Sequence, residues 1–365
     1  MSRDSSVLAG IRGYGGIVLL FFIIAGEWAG TVSFAIAASP PGHRELLTPQ
    51  GPQGLLSPSI QAIVATPRGE LYAGSFGMGV FRSVDRGRTW EPFNAGLTDG
   101  FILCLGVDHR GLIYAGTVMG GVFRTTPSHE GWEAINRGLK RVEVKTLLMH
   151  EQEIFAGTGR GVYRWVERDK QWEVVAEGLD QSLVSSLVMV GSSTLFAGTA
   201  GQGLYWVDLR NPGESGWIRV GQDLIDPRER LSHKFIRILA VQDEQRIYVG
   251  TQDGGIFSSE DFGRSWRPWG RTLPNDSIRG IIPVEQGVLV ATGRGIFKAT
   301  SEDSPWIAVN GGLTQLSVQV LIRTDEGHLY VGTSAGAFRS EDGGEHWIDI
   351  SQGFGTQQRP TGPYF

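Results

Sequence analysis

The chain has 365 residues, of which 41% are hydrophobic and 19% are charged, a composition typical of a folded globular protein rather than a disordered one. Its formal net charge of −5 excludes a general attraction to nucleic acid or to anionic membrane surfaces. The single cysteine, Cys104, excludes an internal disulfide, and no cysteine and histidine stand at a spacing that metal sites use. We therefore predict neither a metal nor a cofactor.

The first 37 residues predict export. Arg3 and Arg12 precede an apolar run at residues 17–25, and residues 35–37 (Ala-Ile-Ala) fit a signal-peptidase site, so we expect a signal peptide cleaved after residue 37. The alternative is an uncleaved N-terminal membrane anchor, in which Glu27 would be costly. The protein is then periplasmic or extracellular, or held at the membrane by this segment.

A Pro-rich linker is expected at residues 38–58 and a flexible tail at residues 355–365. Between them a repeat of about forty residues occurs seven times. Each copy has a small residue after an apolar pair, a glycine four or five positions later, an aromatic residue two positions after that, and then a tryptophan. The small residues are Gly74, Gly116, Gly157, Gly198, Gly250, Ala291 and Gly332, and the tryptophans are Trp90, Trp132, Trp172, Trp217, Trp266, Trp306 and Trp347.

Each copy contains four short strand-like runs, which in the first copy are residues 61–66, 70–73, 79–83 and 89–93. Four strands per repeat are typical of a propeller blade, so residues 59–354 predict an all-β fold, a seven-bladed β-propeller of four-stranded antiparallel blades. The repeated aromatic residues are expected to pack between neighbouring blades, because each blade must bury both of its faces.

A finer motif occupies the hairpin between the third and fourth strands of copies one, five and seven. Copy one reads Ser-Val-Asp-Arg-Gly-Arg-Thr-Trp over residues 83–90. The Asp carboxylate can accept backbone N–H groups of the turn, and the glycine two positions later can adopt a positive φ. We therefore predict structural, non-catalytic roles for Asp85, Gly87, Trp90, Asp261, Gly263, Trp266, Asp342, Gly344 and Trp347.

This motif resembles the Asp-box, or bacterial neuraminidase, repeat. The fuller pattern, Leu-Tyr-Ala-Gly-Ser followed by Gly-Val-Phe-Arg-Ser-Val-Asp-Arg-Gly-Arg-Thr-Trp, is similar to that of exported seven-bladed propellers of the photosystem II stability/assembly factor-like group. The resemblance spans residues 60–354. It implies a non-catalytic scaffold that holds a protein partner during assembly at a membrane, and we expect a monomer that does not bind nucleic acid.

The alternative function is a glycoside hydrolase, sialidase-like or glucan-cleaving, because Asp-box hairpins also occur in such enzymes. The Arg-Ile-Pro motif that precedes the first Asp box of sialidases is missing here, and the tyrosines near the strands occupy repeat positions expected in the core. Two carboxylates on the rim opposite the Asp boxes would be required, for which Asp253 and Asp276 are the candidates. We expect a non-enzymatic protein and assign no catalytic residue.

A binding site is expected on the rim opposite the Asp-box turns, where the loops between second and third strands meet the loops between blades. The starts of the first strands form a ring near the channel mouth: Gln61, Leu103, Lys145, Ser185, Arg237, Arg279 and Gln319. With two loop arginines, this ring predicts an anion-accepting patch made of Lys145, Arg160, Arg237, Arg279 and Arg294. The alternative is that these cations pair with carboxylates such as Glu143, Asp253 or Asp276 in solvated bridges.

Two further surfaces are candidates. A long insertion follows copy four and carries four basic or titratable residues, Arg228, Arg230, His233 and Lys234; long loops in compact repeats are more often functional than short ones. The loops that contain Phe76, Met78, Val118 and Met119 predict a small apolar patch for protein contact.

Overall fold

The computed structural model describes residues 57–125, 131–140, 142–221, 234–242, 245–269, 273 and 277–355. The predicted signal peptide or anchor, nearly all of the predicted linker and nearly all of the predicted tail lie outside these residues. Within them, no helix has the length and apolar character needed to cross a membrane.

The described chain forms seven four-stranded antiparallel sheets, each with its strands in sequence order, which confirms a seven-bladed β-propeller. Blades one to four consist of β1 (Ile60–Ala65), β2 (Leu71–Ser75), β3 (Val80–Ser83), β4 (Glu91–Pro92), β5 (Ile102–Val107), β6 (Ile113–Thr117), β7 (Val122–Thr125), β8 (Glu133–Ala134), β9 (Val144–His150), β10 (Glu153–Thr158), β11 (Gly161–Val166), β12 (Gln171–Val174), β13 (Val184–Val190), β14 (Thr194–Thr199), β15 (Gly203–Asp208) and β16 (Ile218–Val220). Blades five to seven consist of β17 (Ile236–Gln242), β18 (Arg246–Thr251), β19 (Ile256–Ser259), β20 (Arg267–Pro268), β21 (Ile278–Val284), β22 (Gly287–Thr292), β23 (Gly295–Ala299), β24 (Ile307–Ala308), β25 (Val318–Arg323), β26 (Leu329–Thr333), β27 (Gly336–Ser340) and β28 (Ile348–Asp349). A short helix, α1 (Pro212–Ser215), precedes β16.

The first strands of neighbouring blades pack against one another in a closed ring, with β25 of blade seven packing against β1 of blade one. The cores lie between blades, as the aromatic pattern predicts. Tyr72 of blade one, for example, is buried in a cluster with Ile102 and Phe123 of blade two. Each blade therefore buries its repeated aromatic residue, such as Phe123, against the preceding blade.

The fourth strands are shorter than the sequence predicts, since β4 covers Glu91–Pro92 rather than residues 89–93. The tryptophan that ends the repeat explains the difference. The Trp90 N–H donates to the Gln352 carbonyl of the adjoining blade at 3.0 Å, and the Trp90 indole N–H donates to the Ile350 carbonyl at 2.8 Å. The chain at this point bonds the neighbouring blade instead of its own sheet.

The same two contacts recur elsewhere around the ring. Trp132 and Trp347 each donate a backbone N–H and an indole N–H to carbonyls of the preceding blade. At the closure of the ring, the indole of Trp90 also stacks on Phe354, with ring centroids 4.9 Å apart. Trp172 makes the same two contacts with blade two, so in the described chain four of the seven repeat tryptophans join blade to blade in this way, and Trp90 joins the two ends of the propeller.

Candidate functional site

The three turns that resemble Asp boxes, here called Asp-box turns for that likeness, have carboxylates that accept several local hydrogen bonds. In the first turn, Asp85 Oδ1 accepts from the Ser83 hydroxyl at 2.8 Å and from the Thr89 N–H at 2.9 Å, and Oδ2 accepts from the Thr89 hydroxyl at 2.6 Å. Gly87 has φ 84° and donates its N–H to the Ser83 hydroxyl. The Asp85 carboxylate thus binds three groups of its own turn and holds that turn in shape.

The other two turns repeat this geometry. Asp261 accepts from the hydroxyl groups of Ser259 and Ser265, while Asp342 accepts from the Ser340 hydroxyl and from His346, whose Nδ1 lies 2.7 Å from Oδ2. Burial acts to raise the pKa of Asp261, but the hydrogen bonds outweigh it and lower that pKa to about 2. Hydrogen bonds from His346 and Ser340 lower the pKa of Asp342 as well.

The loops on the opposite rim are fixed by buried hydroxyl groups, which the sequence reasoning missed. The residue after each aligned small residue is Ser or Thr in all seven copies, and all seven side chains are buried. Each hydroxyl donates to the carbonyl of the second glycine and accepts an N–H from the intervening loop, as Thr158 does with Gly161 (3.0 Å) and Arg160 (3.0 Å). The seven hydroxyl residues are Ser75, Thr117, Thr158, Thr199, Thr251, Thr292 and Thr333.

The predicted ring at the channel mouth coincides with seven β-bulges. In every blade the register between first and second strands slips by one residue, and the residue left unpaired is a member of this ring. A bulge leaves one residue out of the ladder and re-aims its side chain. Two members reach the next blade: the Ser185 hydroxyl donates to the Ile236 carbonyl at 2.5 Å, and Arg279 Nη1 donates to the Val318 carbonyl at 2.9 Å.

Arg237 and Arg279 are neighbours in this ring, and both lie where burial disfavours the charged form of their side chains. No described carboxylate lies within ion-pair distance of either guanidinium, and the buried Arg279 Nε has no hydrogen-bond partner in the part of the chain that the structure describes. Although the Arg237 side chain reaches solvent, burial of its surroundings lowers the Arg237 pKa, and the charge of Arg279 lowers it further. Burial also lowers the pKa of Arg279.

The structure does not bring all five predicted cations together. Lys145 Nζ lies 3.1 Å from Glu143 Oε1, which is the solvated bridge weighed as the alternative. Arg160 lines a separate pocket on blade three with Tyr163, and Arg294 is exposed on the loop of blade six. The structure therefore centres the candidate anion site on Arg237 and Arg279 rather than on five residues.

Exposed apolar side chains accompany the two arginines on this rim. Phe76 is 50% exposed and Met119 is 61% exposed, as the predicted apolar patch requires, whereas Met78 and Val118 are half-buried. The sequence reasoning missed three more exposed apolar residues on loops between blades: Val142, Phe235 and Leu316. An apolar rim around a basic centre fits a protein segment better than a small polar ligand.

Several predicted residues lie outside the described part of the chain: Arg228, Arg230 and His233 of the insertion, and Asp276 of the hydrolase alternative. Lys234 is described and its carbonyl accepts the Gly201 N–H at 2.8 Å, which ties the end of the insertion to blade four. Asp253 lies on the rim, and its buried Oδ1 has no partner among the described groups.

Comparisons with known proteins support the fold alone. No family model and no curated protein matches the chain. A xyloglucanase of the GH74 type from Xanthomonas campestris superposes with a TM-score of 0.62 at 13% identity, covering 82% of this chain and 55% of that one. The WD40 propeller domain of Doa1 gives 0.61 at 14% identity, over 80% and 95% of the two chains.

A third similar structure is an extracellular domain named as part of a hybrid two-component system of B. thetaiotaomicron. Its TM-score is 0.60 at 13% identity, over 78% of this chain and 40% of that one. The chain thus spans only about half the length, or less, of two of these three structures. Propellers of this shape serve enzymes, receptors and binding modules, so the shape does not select among those functions.

Proposed function

We propose that this protein is an exported, non-catalytic scaffold that binds an acidic, partly apolar segment of a protein partner at the channel mouth. The observation that carries the proposal is the pair Arg237 and Arg279. Two adjacent guanidinium groups with lowered pKa values and no described carboxylate within ion-pair distance are unfavourable in the free protein. A ligand carboxylate would relieve that cost, because charge-assisted hydrogen bonds to guanidinium groups are among the strongest in proteins.

The surroundings support a protein ligand over a free anion. Phe76, Met119 and Phe235 expose apolar surface on the same rim, while the hydroxyl-fixed loops hold that rim in one shape before binding. A preorganised rim reduces the entropy lost on association. The resemblance to the photosystem II stability/assembly factor-like group agrees with this proposal and suggests a partner that belongs to a membrane complex.

The test compares two double variants of the full chain. Arg237→Ala/Arg279→Ala removes two charges from the channel mouth, and Arg88→Ala/Arg264→Ala removes two exposed charges from the Asp-box rim. The probe is a labelled ten-residue peptide of alternating Glu and Leu, titrated by fluorescence anisotropy. We expect the channel-mouth variant to bind about tenfold more weakly or worse, since each lost charge-assisted bond contributes more than about 1 kcal/mol.

Equal affinities of the two double variants would overturn the anion site. Turnover of chromogenic sialosides or β-glucans by the purified protein would overturn the non-catalytic proposal and favour the hydrolase. Affinity capture from membrane extract, run with both variants in parallel, then identifies the partner, since only a partner that needs the channel mouth is lost with Arg237 and Arg279.

A further inference from the structure

Blade three lacks an internal hydrogen-bonding group that other blades carry at the same place. Four residues after the repeated tryptophan, blades one, two and six have Asn94, Asn136 and Asn310, and blade seven has Ser351. Blade three has Ala176 at this position. Blade four has Gly221, but there the sheet itself continues, since Leu204 pairs with Val220, whereas the pairing in blade three stops at Tyr163 and Val174. The repeat shows that the asparagines share one position, four residues after the tryptophan. Only the contacts in the structure explain why this position carries an amide.

The asparagine side chain bonds the edge of the third strand in its own blade. Asn94 Oδ1 accepts the Val80 N–H at 2.8 Å, Asn136 Oδ1 accepts the Val122 N–H at 2.8 Å, and Asn310 Oδ1 accepts the Ile296 N–H at 2.7 Å. The amide nitrogens of Asn94 and Asn136 donate to loop carbonyls in turn. Three blades thus show the same carboxamide group bound at the same backbone position.

The corresponding backbone group of blade three is the N–H of Val162. Its orientation follows from its carbonyl, which accepts from Val175 as the Val80 carbonyl accepts from Phe93. Among the described residues no side chain accepts the Val162 N–H, because the alanine at 176 has no polar atom to offer. An unpaired N–H beside a pocket favours a ligand that brings an acceptor.

A pocket of about 480 Å³ lies at this point and is lined by Val162, Ala176 and the buried Tyr163, among others. The Tyr163 hydroxyl is buried and meets no partner with good hydrogen-bond geometry in the described protein, although the Lys140 backbone is close enough to bear on its pKa. Blades one and two have phenylalanine at this position, so the hydroxyl is not needed to build a blade. The pocket therefore offers two polar groups, the Val162 N–H and the Tyr163 hydroxyl, to an incoming ligand.

The electrostatics of the pocket favour a neutral ligand over an anion. Its charged lining consists of two cations, Lys140 and Arg160, and two carboxylates, Glu177 and Asp180. The Leu179 carbonyl oxygen lies near the turn, 2.9 Å from the position of a Cβ added at Gly161, and it already accepts the Ser182 N–H at 2.9 Å. A carboxamide brings both an acceptor for the Val162 N–H and a donor for a carbonyl, whereas a carboxylate brings acceptors only.

We infer that the pocket of blade three binds a primary carboxamide, in the place where other blades bind their own asparagine. The carboxamide comes either from a small amide or from a Gln or Asn side chain of a protein. At 480 Å³ the pocket is large enough to hold more than the amide group itself. This site is separate from the Arg237–Arg279 pair and does not depend on the proposed function.

The test uses the full chain labelled with ¹⁵N-valine and titrated with propionamide and propionate, two ligands of nearly the same shape. We expect the Val162 resonance to shift saturably with propionamide, with an affinity at least about tenfold higher than for propionate. An unmoved Val162 resonance, or tighter binding of propionate, would overturn the inference.

Two substitutions restore the pattern of the other blades. Ala176→Asn supplies the missing carboxamide, so it should abolish propionamide binding and raise the thermal midpoint by about 2 °C. Tyr163→Phe should weaken binding without loss of folding. Retention of wild-type affinity by both variants would contradict the site, and the second variant keeps the test decisive if the first fails to fold.

Two further experiments ask whether blade two can be given the same site and whether the carboxamide comes from a small molecule or from a protein side chain. Asn136→Ala opens the equivalent position of blade two and should add a propionamide response at Val122, and absence of that response would count against the shared carboxamide site. N-acetylglutamine amide and a Ser-Gln-Ser peptide then distinguish the sources. Tighter binding of the peptide indicates a protein side chain, tighter binding of the single residue indicates a small amide, and binding of neither contradicts the inference.

Discussion

The Asp-box turns stabilise the charged form of their ionisable side chains, whereas the channel mouth destabilises it. Asp261 sits in a turn where the hydrogen bonds from Ser259 and Ser265 outweigh burial and lower the pKa of the acid, which means that the charged form is stabilised. Arg237 sits where burial and Arg279 lower the pKa of a base, which means that the charged form is destabilised. The first arrangement stabilises the folded state, whereas the second leaves the positive charge without a described carboxylate to offset it.

The largest expected effect on stability concerns the contacts that close the ring of blades. Trp90→Ala should lower the free energy of unfolding by about 3–5 kcal/mol, because it removes a 4%-exposed indole that bonds Ile350 and stacks on Phe354 across the ring closure. Guanidinium unfolding followed by circular dichroism measures the loss. Ile307→Ala, at a side chain 63% exposed, is the control and should change little. A small effect of Trp90→Ala would mean that the closure does not depend on this contact.

A middle-sized effect is expected at an Asp-box carboxylate. Asp261→Ala should cost about 1–2 kcal/mol at pH 7, since it removes the acceptor of several turn hydrogen bonds. The pKa of Asp261 in the fold is about 2, below its ordinary value, so this stabilisation is present above about pH 4 and is lost as pH falls toward 2. Urea unfolding of both proteins between pH 2 and 7 should therefore give curves that converge in acid.

The control for the Asp-box prediction is Asp303→Ala, an exposed aspartate in a blade whose hairpin lacks the motif. It should be near neutral at every pH. Parallel rather than converging curves for wild type and Asp261→Ala would show that the carboxylate is not the group responsible.

The smallest effect, with the opposite sign, is expected at the channel mouth. Arg237→Gln should leave stability unchanged or raise it by up to about 1 kcal/mol, because it relieves the repulsion between two cations that lack a described carboxylate. Arg82→Gln is the matched control, since Arg82 Nη2 lies 2.6 Å from Glu70 Oε1 and should lose stability when replaced. If Arg237→Gln were the more destabilising of the two, Arg237 would be a structural residue.

The backbone positions of the candidate site were predictable from the repeat, but the pairing of its side chains was not. The repeat placed the ring residues at equivalent positions, and the structure finds each of them at a β-bulge. The pairing of Lys145 with Glu143 and the separation of Arg160 from Arg237 depend on side-chain directions that spacing does not carry. The rim hydroxyls and Asn94 were present in the repeat as regular positions, but their roles depend on hydrogen bonds between residues up to sixteen positions apart.

The sequence by itself determined the number of blades, the four strands of each blade and the tryptophan that ends each repeat, because these follow from local patterns that recur seven times. The tertiary structure alone decided which polar groups find partners. Whether a guanidinium meets a carboxylate, or an N–H meets an amide, depends on atoms brought together from different strands and blades. The arginine pair at the channel mouth, and the Val162 N–H that no described side chain accepts, follow only from the closed ring and its hydrogen bonds.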